Sequence, residues 1–194
     1  MNETDDLIAA LRPVAEAFGA LGVRFYVGGS VASSFHGAVR STMDVDLVCE
    51  LDADRIERFI GALGEDFYAS RGAIEDAVRR KSCFNLIHLP TSYKVDVFIS
   101  RGRPFDRSSM DRAALRTLGE SCTISVRVCS VEDSIISKLD WFRLTDQTSQ
   151  RQWDDVVRLV DLAGDSLETA YLREAADSVG VLDLLDRLLR HDAG

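Results

Sequence analysis

GGSVASSFHGAVRSTMDVDLV, residues 28–48, sets two glycines and a serine ahead of two aspartates spaced one residue apart. The stretch before it, VRFYV at 23–27, reads as a short buried strand, and Ser30–Phe35 is small and helix-compatible. MDVDLVCE then alternates, with Val45 and Leu47 on one strand face and Asp44 and Asp46 on the other. Gly28–Ser30 fits neither the GxxxxGK[ST] nor the GxGxxG loop, so P-loop and Rossmann readings are poor fits. A glycine turn between strand and helix still suits an anion. Glycine lets a phosphate approach the backbone, and the helix start offers free N–H groups.

Asp44 and Asp46 leave their strand on the same side, so their charges repel and one tends to hold a proton. A hard divalent cation removes that conflict, and Mg²⁺ takes carboxylates together with substrate phosphates. On spacing alone, two aspartates facing water explain the same residues. Asp96 changes the balance. In YKVDVFI it is flanked by Val95, Val97, Phe98 and Ile99, in a strand that otherwise reads as buried. An unpaired carboxylate there is costly and needs a partner. If the two strands are neighbours, three carboxylates meet, the set that two-metal nucleotidyl or phosphoryl transfer needs.

Around this centre the chain is of mixed type. Leu7, Ile8, Leu11, Val14, Ala15, Phe18 and Leu21 recur at helical spacing, and Pro13 is expected to bend or split that helix. Asp52 is expected to cap a helix with the stripe Ile56, Phe59, Ile60 and Leu63, and a further helix is expected over Ala73–Arg80. CFNLIHL and YKVDVFI, joined by Pro-Thr-Ser, read as a hairpin, and CTISVRVCS as a further strand. From Ser130 the chain turns helical, starting at the capping box SVED. The fold class is α+β, a two-layer α/β arrangement. A mixed sheet carries helices on one face in residues 1–129, and 130–194 forms a helical C-terminal extension packed on it.

Composition bounds the function. With 46% hydrophobic and 28% charged residues the chain buries a real core. The net charge of −9 opposes a surface that tracks nucleic acid throughout, although Arg101, Arg103, Arg107, Arg112 and Arg116 run against that average. A solvated loop and helix face explains these arginines better than a polyanion-facing loop. The four cysteines and three histidines are scattered without zinc spacing. No stretch is long enough to span a membrane and no basic signal start is present, so a cytoplasmic protein with reduced, mostly buried thiols is expected.

In this order the motifs resemble the nucleotidyltransferases of the DNA polymerase beta type. They are closest to a bacterial branch that includes abortive-infection toxins of toxin–antitoxin systems and related uncharacterised proteins. The residues carrying the resemblance are Gly28-Gly29-Ser30-Val31-Ala32, His36-Gly37, Arg40-Ser41-Thr42-Met43-Asp44-Val45-Asp46-Leu47 and Tyr93-Lys94-Val95-Asp96. Lys138 in EDSIISKLDWFR follows, then Arg151, Gln152 and Asp155 in SQRQWDDVVRL. The resemblance implies that Asp44, Asp46 and Asp96 hold two Mg²⁺ ions, with Mn²⁺ as a substitute, Asp96 serving the ion that activates the acceptor hydroxyl. It implies that Gly28, Gly29, Ser30, Arg40, Thr42 and Lys138 bind a nucleoside triphosphate. The spacing from Ser30 to Asp44 exceeds that of minimal members, so no substrate preference is carried over.

The activity implied is Mg²⁺-dependent transfer of a nucleoside monophosphate to an acceptor hydroxyl on an RNA 3′ end, a protein or a small molecule. An antitoxin is the implied partner. A catalytically inactive nucleotide- or partner-binding module is the rival, and a metal-dependent phosphohydrolase the third reading. Several residues keep two readings: Arg40 neutralises phosphate or pairs with a carboxylate, and His36 packs or caps rather than acting as a base. Lys138 serves the site or snorkels, while Arg151 and Asp155 belong to the site or form an i,i+4 pair. Trp141 and Trp153 are expected in the core between the C-terminal helices.

Overall fold

The computed structural model describes residues 3–38, 44–120, 122–145, 147 and 149–191. The chain begins with α1 (Glu3–Ala20), β1 (Phe25–Val27), α2 (Gly29–Phe35) and β2 (Asp44–Cys49). It continues with α3 (Ile56–Leu63), β3 (Phe67–Ala69), α4 (Arg71–Arg80), β4 (Cys83–His88) and β5 (Tyr93–Ile99). After α5 (Pro104–Arg112), β6 (Ala114–Leu118) and β7 (Ile124–Val128) come four helices: α6 (Val131–Leu144), α7 (Gln150–Ala163), α8 (Thr169–Val179) and α9 (Leu182–His191).

Among the described residues, seven strands form one mixed sheet in the order β3-β4-β5-β2-β1-β7-β6. β2 runs parallel to β5 and β1 parallel to β7, while the other neighbours are antiparallel. The alternation of β2 and β5 buries Val45, Leu47, Val95 and Val97 completely on one face. α1, α3 and α4 cover that face, with Phe18 and Phe59 stacked at 4.8 Å between ring centroids. The opposite face carries Asp44, Asp46 and Asp96, and of these Asp46 lines a cleft. A second core is built by α6–α9, with Ala38 and Phe105 added from the sheet-bearing part.

Several expectations need correction. α1 runs unbroken through Pro13, so the helix is not split there. Ile8, Leu11, Val14 and Phe18 are all fully buried, and that anchored stripe outweighs the roughly 3 kcal/mol of an interior proline. Asp52 does not cap α3; it precedes a single 3₁₀ turn, Ala53–Arg55, and its carboxylate pairs with Arg55. β3 and β6 have no counterpart in the sequence reading, because short edge strands are held by backbone pairing and show little alternation. The arginine-rich segment is more engaged than a solvated face. Arg103 bonds Asp106 and Asp140, and Arg112 reaches Glu132 and Glu168 with its guanidinium 4.0 Å over the Tyr171 ring. Cys49 and Cys129 are buried, but Cys83 and Cys122 are exposed. Trp153 is buried in the second core, whereas Trp141 is 43% exposed and lies outside it. Among the described residues no helix is long and apolar enough to cross a membrane.

Candidate active site

The turn from β1 into α2 lies directly against β2. The Gly28 N–H donates to the Asp46 carbonyl at 2.9 Å. Gly29 follows at φ +56°, and a Cβ built there would fall 1.7 Å from Asp46 Oδ2. Two independent constraints therefore demand glycine: the left-handed backbone and the close approach of the carboxylate. The outcome is a bare main chain beside an acid, at the start of a helix whose first N–H groups have no partner within the helix.

The parallel pairing of β2 with β5 sets Asp46 opposite Asp96 and Asp44 opposite Lys94. Adjacent strands are about 4.8 Å apart, so the three carboxylates feel one another strongly. Burial, then the charges of Asp44 and Asp96, push the Asp46 carboxyl up to about 6, against a smaller opposing pull from Lys138 and Lys94. The charge conflict expected from the DxD spacing is thus present, with burial the larger cause. Lys94, to which the sequence reading gave no role, moderates it. Its Nζ lies 2.7 Å from Asp96 Oδ2 and 3.9 Å from Asp44 Oδ2. Those carboxylates hold the Lys94 proton more firmly than usual, the hydrogen bond to Asp96 being the main cause.

Among the described residues no three Asp, Glu, His or Cys side chains already stand as a metal-holding group. The donors that Asp44, Asp46 and Asp96 supply are nevertheless hard oxygens of the kind Mg²⁺ selects, and the Lys94 ammonium is a stand-in cation between two of them. The residues fit a divalent ion by donor chemistry and by their need for positive charge.

A cleft of about 590 Å³ opens over this face, lined by Gly28, Gly29, Ser30, Asp46, Lys138, Arg151 and Asp155 among others. Ser130 starts α6 by accepting the Asp133 N–H, the half of the capping box that the serine supplies. Lys138 is drawn inward, its side chain only 11% exposed, and its Nζ bonds Asp155 Oδ2 at 3.1 Å. Asp155 thus reaches across to α6 instead of serving α7 alone. His36 is turned elsewhere: its Nε2 faces the Cys129 carbonyl at 2.9 Å, tying the end of α2 to the end of β7. Arg40 and Thr42 lie outside the described residues. The cleft is also lined by Lys81 and Phe98, to which the sequence gave no role in the site, by Trp141, expected in the core, and by Gln152 of the SQRQWDDVVRL motif.

A family model described as "Nucleotidyl transferase AbiEii toxin, Type IV TA system" matches residues 14–190. Solved structures of the same fold include an antigenic nucleotidyltransferase-like protein from Paracoccidioides brasiliensis. It is 19% identical at a TM-score of 0.53, over 96% of this chain and 93% of that one. The antibiotic-resistance factor ANT(2″)-Ia is 17% identical at a TM-score of 0.52, over 100% and 96% of the two chains. A second ANT(2″)-Ia structure, in complex with adenylyl-2″-tobramycin, is 12% identical at a TM-score of 0.53, over 89% and 96%. At these identities the likeness is one of fold. No curated protein sequence matches the chain significantly.

Proposed function

Since the chain belongs to the AbiEii nucleotidyl transferase toxin family, we propose that it moves a nucleoside monophosphate from a triphosphate to an acceptor hydroxyl. The observation that carries this reading is the in-register pairing of Asp46 with Asp96, with Asp44 two residues before Asp46 on the same strand face, beside the bare backbone of Gly29. In this reading Asp44, Asp46 and Asp96 hold Mg²⁺. When bound, Mg²⁺ supplies positive charge to the phosphates and favours ionisation of the acceptor hydroxyl.

The chain's own residues do the rest. Gly28, Gly29 and Ser30 offer backbone and hydroxyl groups to the β- and γ-phosphates, where a side chain at position 29 would block the approach. Lys138 is held by Asp155 at the edge of the same space and adds a point charge to the triphosphate. Asp96 orients the acceptor hydroxyl for in-line attack on the α-phosphorus. The new O–P bond forms as the bond to the pyrophosphate oxygen breaks, and the hydroxyl proton leaves to a carboxylate of the cluster or to water. Lys94 neutralises the cluster between turnovers. An RNA 3′ end, a protein side chain and a small molecule all remain within this chemistry, and an antitoxin is the partner that the family's toxin–antitoxin membership brings.

Pyrophosphate release by the purified protein, with Mg²⁺, each triphosphate and an extract supplying acceptors, tests the reading. Release that needs Mg²⁺ and vanishes in Asp44→Asn is the expected outcome. Tight triphosphate binding with no release over a broad acceptor panel would assign a binding module instead. Acceptor-independent release of phosphate would assign a phosphohydrolase.

A further inference from the structure

The cleft that holds Gly29, Asp46 and Lys138 is also lined by the apolar side chains of Phe98, Trp141 and Leu144. Phe98 lies two residues beyond Asp96 on the same face of β5, about 6.6 Å further along the strand. Trp141 lies three residues beyond Lys138, about 4.5 Å further along α6, and Leu144 one turn further still. Phe98 and Trp141 meet edge to face across the cleft, with ring centroids 6.0 Å apart and planes at 85°. Trp141 and Leu144 stay 43% and 53% exposed, while Trp153 on the neighbouring helix is buried. An indole left half open in a cleft wall, a ribose-sized step from Lys138, is available to a planar ring.

Resting on the nucleotidyl-transfer reading above, we propose that Trp141, supported by Phe98, holds the nucleobase of the triphosphate. The phosphates then lie towards Gly29 and Lys138, and the ribose bridges the two ends. An aromatic face binds any base through its π surface, so the contact supplies affinity with little demand for a particular base.

Calorimetry on the full chain, in Mg²⁺, with each of the four nucleoside triphosphates and with inorganic tripolyphosphate, separates base from phosphate. Trp141→Ala weakens triphosphate binding about tenfold and leaves tripolyphosphate binding unchanged, while Trp141→Phe retains most of the affinity. The chain has two tryptophans, so fluorescence gives a second readout. Triphosphate quenches the wild type and fails to quench Trp141→Phe, in which the buried Trp153 is the remaining indole. Equal weakening of both ligands in Trp141→Ala, or no weakening of the triphosphate, overturns the assignment. Wild-type protein that binds neither ligand refutes the underlying transfer reading, a failure distinct from a wild type that binds the triphosphate with Trp141 uninvolved.

Discussion

Asp46→Asn should make the metal-free protein more stable while removing its activity. Burial and the neighbouring carboxylates raise the Asp46 carboxyl from 3.8 to about 6. The folded protein therefore binds this proton more tightly than the unfolded chain does. Between the two values the native state carries more protons, so stability falls as pH rises through this window and stays low above it. At 1.36 kcal/mol per unit, the penalty is about 3 kcal/mol at pH 8, about 2 at pH 5.5 and well under 1 at pH 4. Asparagine has nearly the same shape and carries no charge, so it removes the penalty without altering the approach to Gly29. Urea unfolding followed by circular dichroism, with chelator present, should show Asp46→Asn ahead of the wild type by an amount that shrinks as pH falls. Saturating Mg²⁺ or Mn²⁺ should narrow the gap at pH 8 by stabilising the wild type alone. A variant that is less stable at pH 8, or a gain that does not depend on pH, would refute the charge conflict assigned to this carboxylate.

Gly29→Ala should destabilise the fold and abolish triphosphate binding, because the methyl would overlap Asp46 Oδ2; a thermal melt unchanged within a degree would contradict this. Removing the Lys138 charge in Lys138→Met should raise the Asp46 carboxyl further above about 6, as read by carboxyl NMR, since Lys138 now lowers it; a fall would reverse the assignment. Divalent-ion affinity should increase as pH rises through about 6, when Asp46 gives up its proton, and a flat titration would count against Asp46 as a ligand. Arg112→Ala should cost about 3 kcal/mol by leaving the buried Glu132 and Asp133 without their guanidinium, measured by urea unfolding; a loss below about 0.5 kcal/mol would show that this cluster does little.

Much of the candidate site was legible because its signals are local. Strand alternation places Asp44 with Asp46 on one face, and Asp96 stands out as a carboxylate inside an otherwise apolar strand, with no knowledge of the fold. The pairing of β2 with β5 is not local: a helix, an edge strand, another helix and β4 intervene, so the register that sets Asp46 against Asp96 had to come from the structure. Lys94 shows the same limit. Its spacing from Asp96 was in view, but its second partner, Asp44, comes from the neighbouring strand. Helical periodicity says which residues share a stripe and not which flank meets another element. Spacing alone therefore places Trp141 with the core, whereas it lies in the cleft wall three residues after Lys138. Arg103 and Arg112 looked solvated because their acidic partners, Asp140, Glu132 and Glu168, are distant in sequence. Pro13 carries its penalty locally, while the burial of Ile8, Leu11, Val14 and Phe18 that keeps α1 in one piece is tertiary.

Nucleotidyl transfer and phosphoryl transfer leave different atoms on the acceptor, so labelled triphosphates test the central claim most directly. The protein is incubated with Mg²⁺ and a cell extract, once with label on the α-phosphate and once on the γ-phosphate. Acceptor material that gains the α label, gains no γ label, and gains neither with Asp96→Asn is the expected result. Transfer of the γ label, or α-label transfer that persists in Asp96→Asn, would contradict a nucleotidyltransferase centred on these three aspartates.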